Sequence, residues 1–497
     1  MIRFLLQRPW LALVLALLVE TIIYWLGQID FVASDPLWYA NIAHGIAVDP
    51  DTVFSGTQTH PFVMRIGLTL PIALAYKLFG VSSITTNLPC LVAALGITAI
   101  VYAAAPTARA KWLGMIICAC CIALLRNMII LNVDLPCAAL MAAAVLCLVR
   151  RWFVAAAVAT VAAFLVKETA LWCGVVWIYA IALELRERGW RDTMRAFAPG
   201  IAVGVALTAT YLALSAHWWG NPFARFAGIA ELTFEHAWTL HGRPIGEWIN
   251  RLTWQTPLLL VTVVNVLIVP ALLAPWLAPV LRRSRDRIWI FATASFLLLY
   301  WFGSSSMSAY APLPISPRMI LPVLPGVLVL ATFGCDGAVE RLQGSRWRTP
   351  VIAVFMLALV VPAGRVMFGM LRRGHPEADA FALLRRETAD PQHRVLLVCG
   401  EPRCTSIASY YFGFMPRENF TVTFAGDFAA APLPANVSVR ALVNKSRSPG
   451  ARRTDPKLDR TEQIDALALP KLVTHRSVRL YDAGDGARLW QALQSPP

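Results

Sequence analysis

Residues 10–28 run through Leu11-Ala-Leu-Val-Leu-Ala-Leu-Leu-Val19 with a single acid, Glu20, and apolar stretches of this kind recur as far as residue 368. A bilayer core about 30 Å thick is crossed by about 20 apolar residues in a helix. A helix suits that solvent because all of its backbone polar groups are satisfied within the segment. Eleven spans are expected on this rule, near 10–28, 84–105, 112–131, 135–149, 152–166, 169–184, 196–216, 257–281, 288–302, 318–335 and 350–368. Composition agrees: 58% of the residues are hydrophobic, 15% are charged, and the mean hydropathy is +0.59. Soluble domains run at about 45–50% apolar and about 25% charged, so the expected class is a polytopic α-helical membrane protein. The first run is long and no small-residue cleavage site precedes Asp35, so it reads as a retained helix rather than a signal peptide.

The formal charge of +15 follows from topology rather than from a nucleic-acid partner. With the N-terminus inside, the cytoplasmic connections are 1–9, 106–111, 150–151, 185–195, 282–287 and 336–349, and together they hold 17 Lys and Arg. Short loops rich in Lys and Arg stay on the cytoplasmic side. The same rule treats the apolar segment 61–80 as an interfacial helix on the outer face. If it crossed, Arg150-Arg151 and the Arg282 cluster would move outside. Residues 29–83 and 217–256 then form outer loops, and the chain ends outside.

From residue 371 the apolar runs shorten and Pro, Gly and charge increase. Ala378–Glu387 reads as an amphipathic helix, Arg394–Cys399 as a buried strand and Thr405–Phe412 as a helix, with further strands over Phe420–Phe424 and Val437–Val443. Residues 371–497 are therefore expected to form a small extracytoplasmic α/β domain beside a membrane module of residues 1–370. Lys445–Lys457 reads as a mobile loop. Eight of the ten cysteines lie in or beside spans, where a thiol behaves as a small hydrophobe. Cys399 and Cys404 bracket Gly-Glu-Pro-Arg in the outer domain, where an oxidising compartment favours a disulfide.

The unusual polar residues gather on the expected outer side. Asp35 opens the first loop, with His60 and Arg65 further along it. Asn132-Val-Asp134 and Lys167-Glu168 form tight outer turns. The loop 217–256 carries Glu231, Glu235, His236, His241 and Arg243 among several Trp, and Arg318 enters the tenth span from outside. Solvated turn residues and an interfacial aromatic belt are the bland alternatives for many of these. The five-residue spacing of His236 and His241 suits one helical face poorly. Glu20 and Arg126 lie within spans, where ionisable groups mark function or a structural hydrogen bond.

Four stretches resemble the GT-C fold glycosyltransferases, in the branch of the protein O-mannosyltransferases and bacterial lipid A aminoarabinose transferases. They are Asp35-x-x-x-Tyr39-x-x-x-Ala43; His60-Pro61 with Leu78-Phe79-Gly80; the turns Val133-Asp134-Leu135-Pro136 and Lys167-Glu168-Thr169-Ala170-Leu171; and Pro317-Arg318-Met319-Ile320-Leu321-Pro322-Val323-Leu324-Pro325. The chain departs from the family pattern at Pro36, where a second acid is frequent, at Phe62, where a second Pro is frequent, and at Met319, where an aromatic is usual.

The resemblance implies inverting transfer of a sugar from a polyprenyl-phosphate donor to a hydroxyl acceptor on a lipid, glycan or protein. The active site would face the periplasm or exterior of a bacterial plasma membrane. Asp35 is the candidate base, since a carboxylate that takes the hydroxyl proton contributes about 10²–10⁴-fold. Asp134 would orient substrate. Arg318 would hold the departing phosphate, with Lys167, Arg65 and Arg126 in reserve, because a guanidinium grips phosphate in a fork. His60, Glu168, Glu235, His236 and His241 are substrate or metal candidates. A divalent metal ion is the cofactor left open, and no nucleotide cofactor is expected. The rival class is a transporter or flippase of a lipid-linked or small polar substrate. Such proteins show repeats and broken helices at the bilayer midplane, whereas here the polar groups gather at one rim.

Overall fold

The structure is a computed structural model, and it describes residues 7–27, 34–55, 61–235, 244–304, 316–371, 376–400, 404–414, 418–425, 428, 437–444, 461–474, 478–484 and 486–494. It divides into two compact units. The first holds Met1–Gly27, Gly45–Leu74 and Asn87–Leu371; the second holds Gln28–His44, Ala75–Thr86 and Arg372–Pro497.

The first unit is a helical membrane bundle. Among the described residues, six helical runs are long and apolar enough to cross a bilayer: Pro9–Leu26, Ser83–Ala104, Glu168–Trp219, Ile245–Leu277, Pro317–Arg341 and Arg348–Met370. Ala108–Ala119 and Ile122–Met128, bent by 55° at a short break, form a seventh if taken together. The expected eleven spans are not all reached on length. Those at 135–149, 152–166 and 288–302 fall on the helices Asp134–Val149, Phe153–Val166 and Arg287–Phe302, of 14 to 16 residues, short of the roughly 20 a full crossing needs. The expected spans 169–184 and 196–216 belong to one helical run broken at Gly189, which takes φ 75° and ψ 175°. The Trp177 and Phe197 rings lie 5.9 Å apart, whereas twenty residues of straight helix would part them by about 30 Å. The chain therefore folds back at Gly189, where a residue without Cβ meets the positive φ most easily.

Lipid-type exposure marks the outer helices. Leu15, Leu18, Ile22 and Trp25 on the first helix, and Val354, Leu357 and Val361 on Arg348–Leu371, are exposed apolar side chains, an arrangement suited to hydrocarbon rather than water. Inside the bundle, small residues let backbones approach. A Cβ at Gly334 or Gly337 would collide with the carbonyl oxygens of Pro270 or Leu277. Glu20 is fully buried and accepts a 2.6 Å hydrogen bond from Thr98 Oγ1.

The second unit is built on a five-stranded sheet of order β2-β1-β3-β5-β4, with β1 Arg394–Cys399, β2 Phe420–Phe424, β3 Val437–Asn444, β4 Lys471–Thr474 and β5 Val478–Asp482. β1, β2 and β3 are parallel, and β5 runs antiparallel to β3 and β4. The strands expected at 394–399 and 420–424 are matched, the one at 437–443 runs a residue further, and β4 and β5 are too short and charged to be read from the sequence. One face of the sheet buries Leu397 and Leu480 with Phe381 and Leu384 of the helix Pro376–Glu387, and with Leu37 and Ala40 of the helix Ser34–Val48. The other face buries Val398, Val439 and Tyr481. Arg440 ties the unit together through Glu387 at 3.0 Å and Asp482 at 2.6 Å. Cys399 is disulfide-bonded and eight other cysteines are free; the Cys404 side chain and Lys445–Lys457 lie outside the described residues.

Candidate functional site

Two antiparallel helices of similar length bring the turns at Asp134 and Lys167 together. Asp134–Val149 runs one way, the chain turns through Arg150–Trp152, and Phe153–Val166 returns. The start of the first helix thus meets the end of the second. Lys167 Nζ donates to Asp134 Oδ1 at 2.5 Å, with the two side chains 10% and 2% exposed. The Asp134 turn is locked from beneath. Asn132 Oδ1 accepts the Leu135 N–H at 2.8 Å, while its amide donates to the Asn127 and Ile130 carbonyls at 2.9 Å. A carboxylate in the first turn of a helix also faces the positive end of the helix dipole.

The next residue, Glu168, opens a short 3₁₀ turn, Glu168–Trp172, and holds two guanidinium groups. Arg65 donates to its Oε1 at 2.9 Å and Arg225 to its Oε2 at 3.2 Å. Arg225 is 1% exposed, donates also to the Phe164 carbonyl at 2.7 Å and lies 4.8 Å over the Phe164 ring, while its Nε meets no partner among the described residues. Tyr300 on Arg287–Phe302 donates to Thr169 Oγ1 at 3.0 Å. Among the described residues, three cations stand against two carboxylates here, one positive charge in excess. In a poorly screened site such an excess attracts an anion far more strongly than it would in water.

Asp134, Lys167, Glu168 and Arg65 therefore converge. Arg126 does not join them: it lies exposed on Ile122–Met128, with no ion pair or hydrogen bond among the described residues, because the break at Cys120–Cys121 turns that segment. Arg318 sits half-buried in the first turn of the 3₁₀ segment Pro317–Val323, which packs against Asp134–Val149. Asp35 is half-buried in the first turn of Ser34–Val48 and belongs to the second unit. His60, His236 and His241 lie outside the described residues. So does the side chain of Glu235, the last residue of the helix Ala224–Glu235. No group of three or more His, Cys, Asp or Glu among the described residues is arranged to hold a metal ion, and both carboxylates of the cluster are already engaged by cations.

No protein-family model matches the chain, and no curated protein is similar enough to match. Solved structures do match. ArnT from Cupriavidus metallidurans in the apo state is 15% identical with a TM-score of 0.59, the alignment covering 98% of each chain. The same protein bound to undecaprenyl phosphate is 16% identical with a TM-score of 0.59, covering 98% of this chain and 99% of that one. The chain has the GT-C fold.

Two buried arginines of this GT-C bundle escape a reading of sequence alone. Arg225 lies within Phe223-Ala-Arg-Phe-Ala, where an ionisable residue in an apolar run was the available signal. Arg251, 2% exposed, donates to the carbonyls of Tyr300 at 2.8 Å and Trp301 at 2.7 Å. It thereby satisfies carbonyls at the end of Arg287–Phe302 that have no helical partner, and so serves as a helix cap.

Proposed function

We propose that this chain is a membrane glycosyltransferase that moves a sugar from a polyprenyl-phosphate donor to a hydroxyl acceptor at the extracytoplasmic face of a bacterial plasma membrane. The observation that carries the reading is the buried cluster of Lys167, Arg65 and Arg225 with Asp134 and Glu168, net positive among the described residues. It lies in a fold shared with an ArnT that has been solved with undecaprenyl phosphate bound.

The acceptor oxygen attacks the anomeric carbon and the bond from that carbon to the phosphate oxygen breaks, which inverts the centre. The electron pair leaves with the polyprenyl phosphate, and the hydroxyl proton passes to the Asp35 carboxylate. Charge that develops on the departing phosphate is stabilised by preorganised cations in a water-poor site. Arg318 and the buried cluster supply them, with Arg225 added to the residues expected from sequence. Asp134, held by Lys167, acts as a positioning residue: it fixes the ammonium against the helix end. The second unit buries Leu37 and Ala40 of the helix that carries Asp35, so the C-terminal sheet holds the base in place.

The test is transfer by purified protein from a polyprenyl-phosphate sugar. Asp35→Asn should lower kcat by about 10²–10⁴-fold and leave donor affinity unchanged. Full turnover in that variant would remove Asp35 from the mechanism.

A further inference from the structure

Within the second unit, the helix Ser34–Val48 is held along one stripe. Leu37 and Ala40 join the apolar cluster on one face of the sheet, and His44 stacks on Phe414 with ring centroids 4.5 Å apart and 28° between the planes. At 3.6 residues per turn these three positions fall within about 60° of one another, and Asp35 lies about 170° around the helix from their middle. Trp38, one turn on from Asp35, is 50% exposed. The stripe therefore sets the rotation at which the helix presents Asp35.

The ring that meets His44 is put in place by a strained backbone. After the helix Cys404–Tyr411 the Gly413 N–H donates to the Tyr410 carbonyl at 2.8 Å and the Phe414 N–H to the Ser409 carbonyl at 2.7 Å. That pair of bonds is a Schellman cap, which calls for one left-handed residue, and Gly413 supplies it with φ 67°. Phe414 is left-handed as well, with φ 58°. A bulky side chain at positive φ is a rare conformation that persists only where its surroundings impose it. Those surroundings form an aromatic corner. Tyr410 meets the Phe414 ring edge-on at 5.8 Å, and its Oη shares a 2.9 Å hydrogen bond with Thr86 Oγ1, which lies 2.7 Å from Tyr76 Oη. The cap does not need the second left-handed residue; the stack on His44 does.

We propose that Phe414 is a positioning residue for sugar transfer, and that its stack on His44 fixes the rotation of the helix Ser34–Val48 and with it the aim of the Asp35 carboxylate. The proposal rests on the reading of Asp35 as the base. The stack lies about 13 Å along the helix from Asp35, so it acts through the helix and not on the substrate. A misplacement of about 1 Å caused far from the chemistry is enough to cost about 10²-fold in rate.

Two variants of the purified full chain separate the ring from the backbone. Phe414→Asn removes the ring with a residue that accepts the left-handed conformation, and Phe414→Tyr keeps the ring. With a polyprenyl-phosphate sugar as donor, Phe414→Asn is expected to lower kcat at least tenfold with KM for the donor within twofold of native, and Phe414→Tyr to restore turnover. Amide hydrogen exchange supplies a readout without substrate: residues 34–48 should exchange at least tenfold faster in Phe414→Asn, while the strand Arg394–Cys399 keeps its protection. Native kcat in Phe414→Asn, an equal loss in Phe414→Tyr, or a rise in KM that matches the fall in kcat would each overturn the proposal. So would faster exchange across the whole second unit, which would make the stack a general support of the fold. A native chain without transfer activity overturns the glycosyltransferase reading and the catalytic consequence of the stack together, whereas unchanged protection of residues 34–48 in Phe414→Asn overturns the positioning role alone.

Discussion

Replacing Lys167 by Met tests both the stability and the chemistry of the buried cluster. The substitution keeps the length of the side chain and strands the Asp134 carboxylate, which is 2% exposed and has the Lys167 ammonium 2.5 Å away. At an effective dielectric of about 20 the attraction across that distance is about 7 kcal/mol, against which stands the cost of desolvating both ions. Removing one partner of a buried pair costs about 3–5 kcal/mol, whereas replacing both by apolar groups is often close to neutral. Lys167→Met should therefore destabilise the bundle by about 3–5 kcal/mol, and Lys167→Met/Asp134→Leu should recover most of that loss. Denaturant unfolding in mixed micelles reads the stability arm, and transfer from a polyprenyl-phosphate sugar reads the chemistry arm. If Lys167 supports the departing phosphate, the double variant regains stability and stays inactive. A single variant as stable as the native chain would refute the buried-pair reasoning, and a double variant that regains turnover would refute the phosphate role.

Charge changes around Glu168 should act on donor affinity with opposite signs. Arg225→Gln removes the positive excess and is expected to weaken polyprenyl-phosphate binding at least tenfold, whereas Glu168→Gln adds to the excess and should not weaken it, as measured by titration. Gly334→Ala should lower the melting temperature in line with an overpacking cost of about 1–3 kcal/mol, because its Cβ meets the Pro270 carbonyl. Gly369→Ala, with nothing within 4 Å, should not. His44 stacks on Phe414 with centroids 4.5 Å apart, and burial lowers its pKa. The unfolded chain thus binds more protons than the folded one below the ordinary histidine pKa of about 6.5. Stability of the native chain should be flat above that pH and fall as the pH drops through it, until the folded imidazole also protonates. Urea titrations at pH 7.5 and 5.5 should show the drop in the native chain and a smaller one in His44→Phe.

Much of the architecture was legible because apolar length is a one-dimensional signal. The first helix, the long run from Arg348 and the strands at 394–399 and 420–424 could be placed from residue type and spacing alone. The turns at Asp134 and Lys167 were legible for the same reason, as ionisable residues where apolar runs end. Gly189 shows the limit. A continuous helical pattern does not reveal that the chain folds back there, since a single residue at positive φ leaves the flanking periodicity intact. Arg225 and Arg251 were illegible in a different way. Each is a cation in the aromatic-rich stretch 217–256, which the sequence reads as a loop, and its role depends on which carboxylate or carbonyl the fold sets against it.

The sequence by itself determined that this is a multi-pass membrane protein with a mixed α/β C-terminal region, because the cost of polar backbone and charge in hydrocarbon acts on every short window of residues. Only the tertiary structure decided that Lys167 closes on Asp134, that Glu168 joins Arg65 to Arg225, and that the start of the Asp35 helix is buried with the C-terminal sheet. Those pairings join residues separated by tens to hundreds of positions. A buried charge is tolerated only where packing brings its partner within hydrogen-bond reach, and that partner is chosen in three dimensions.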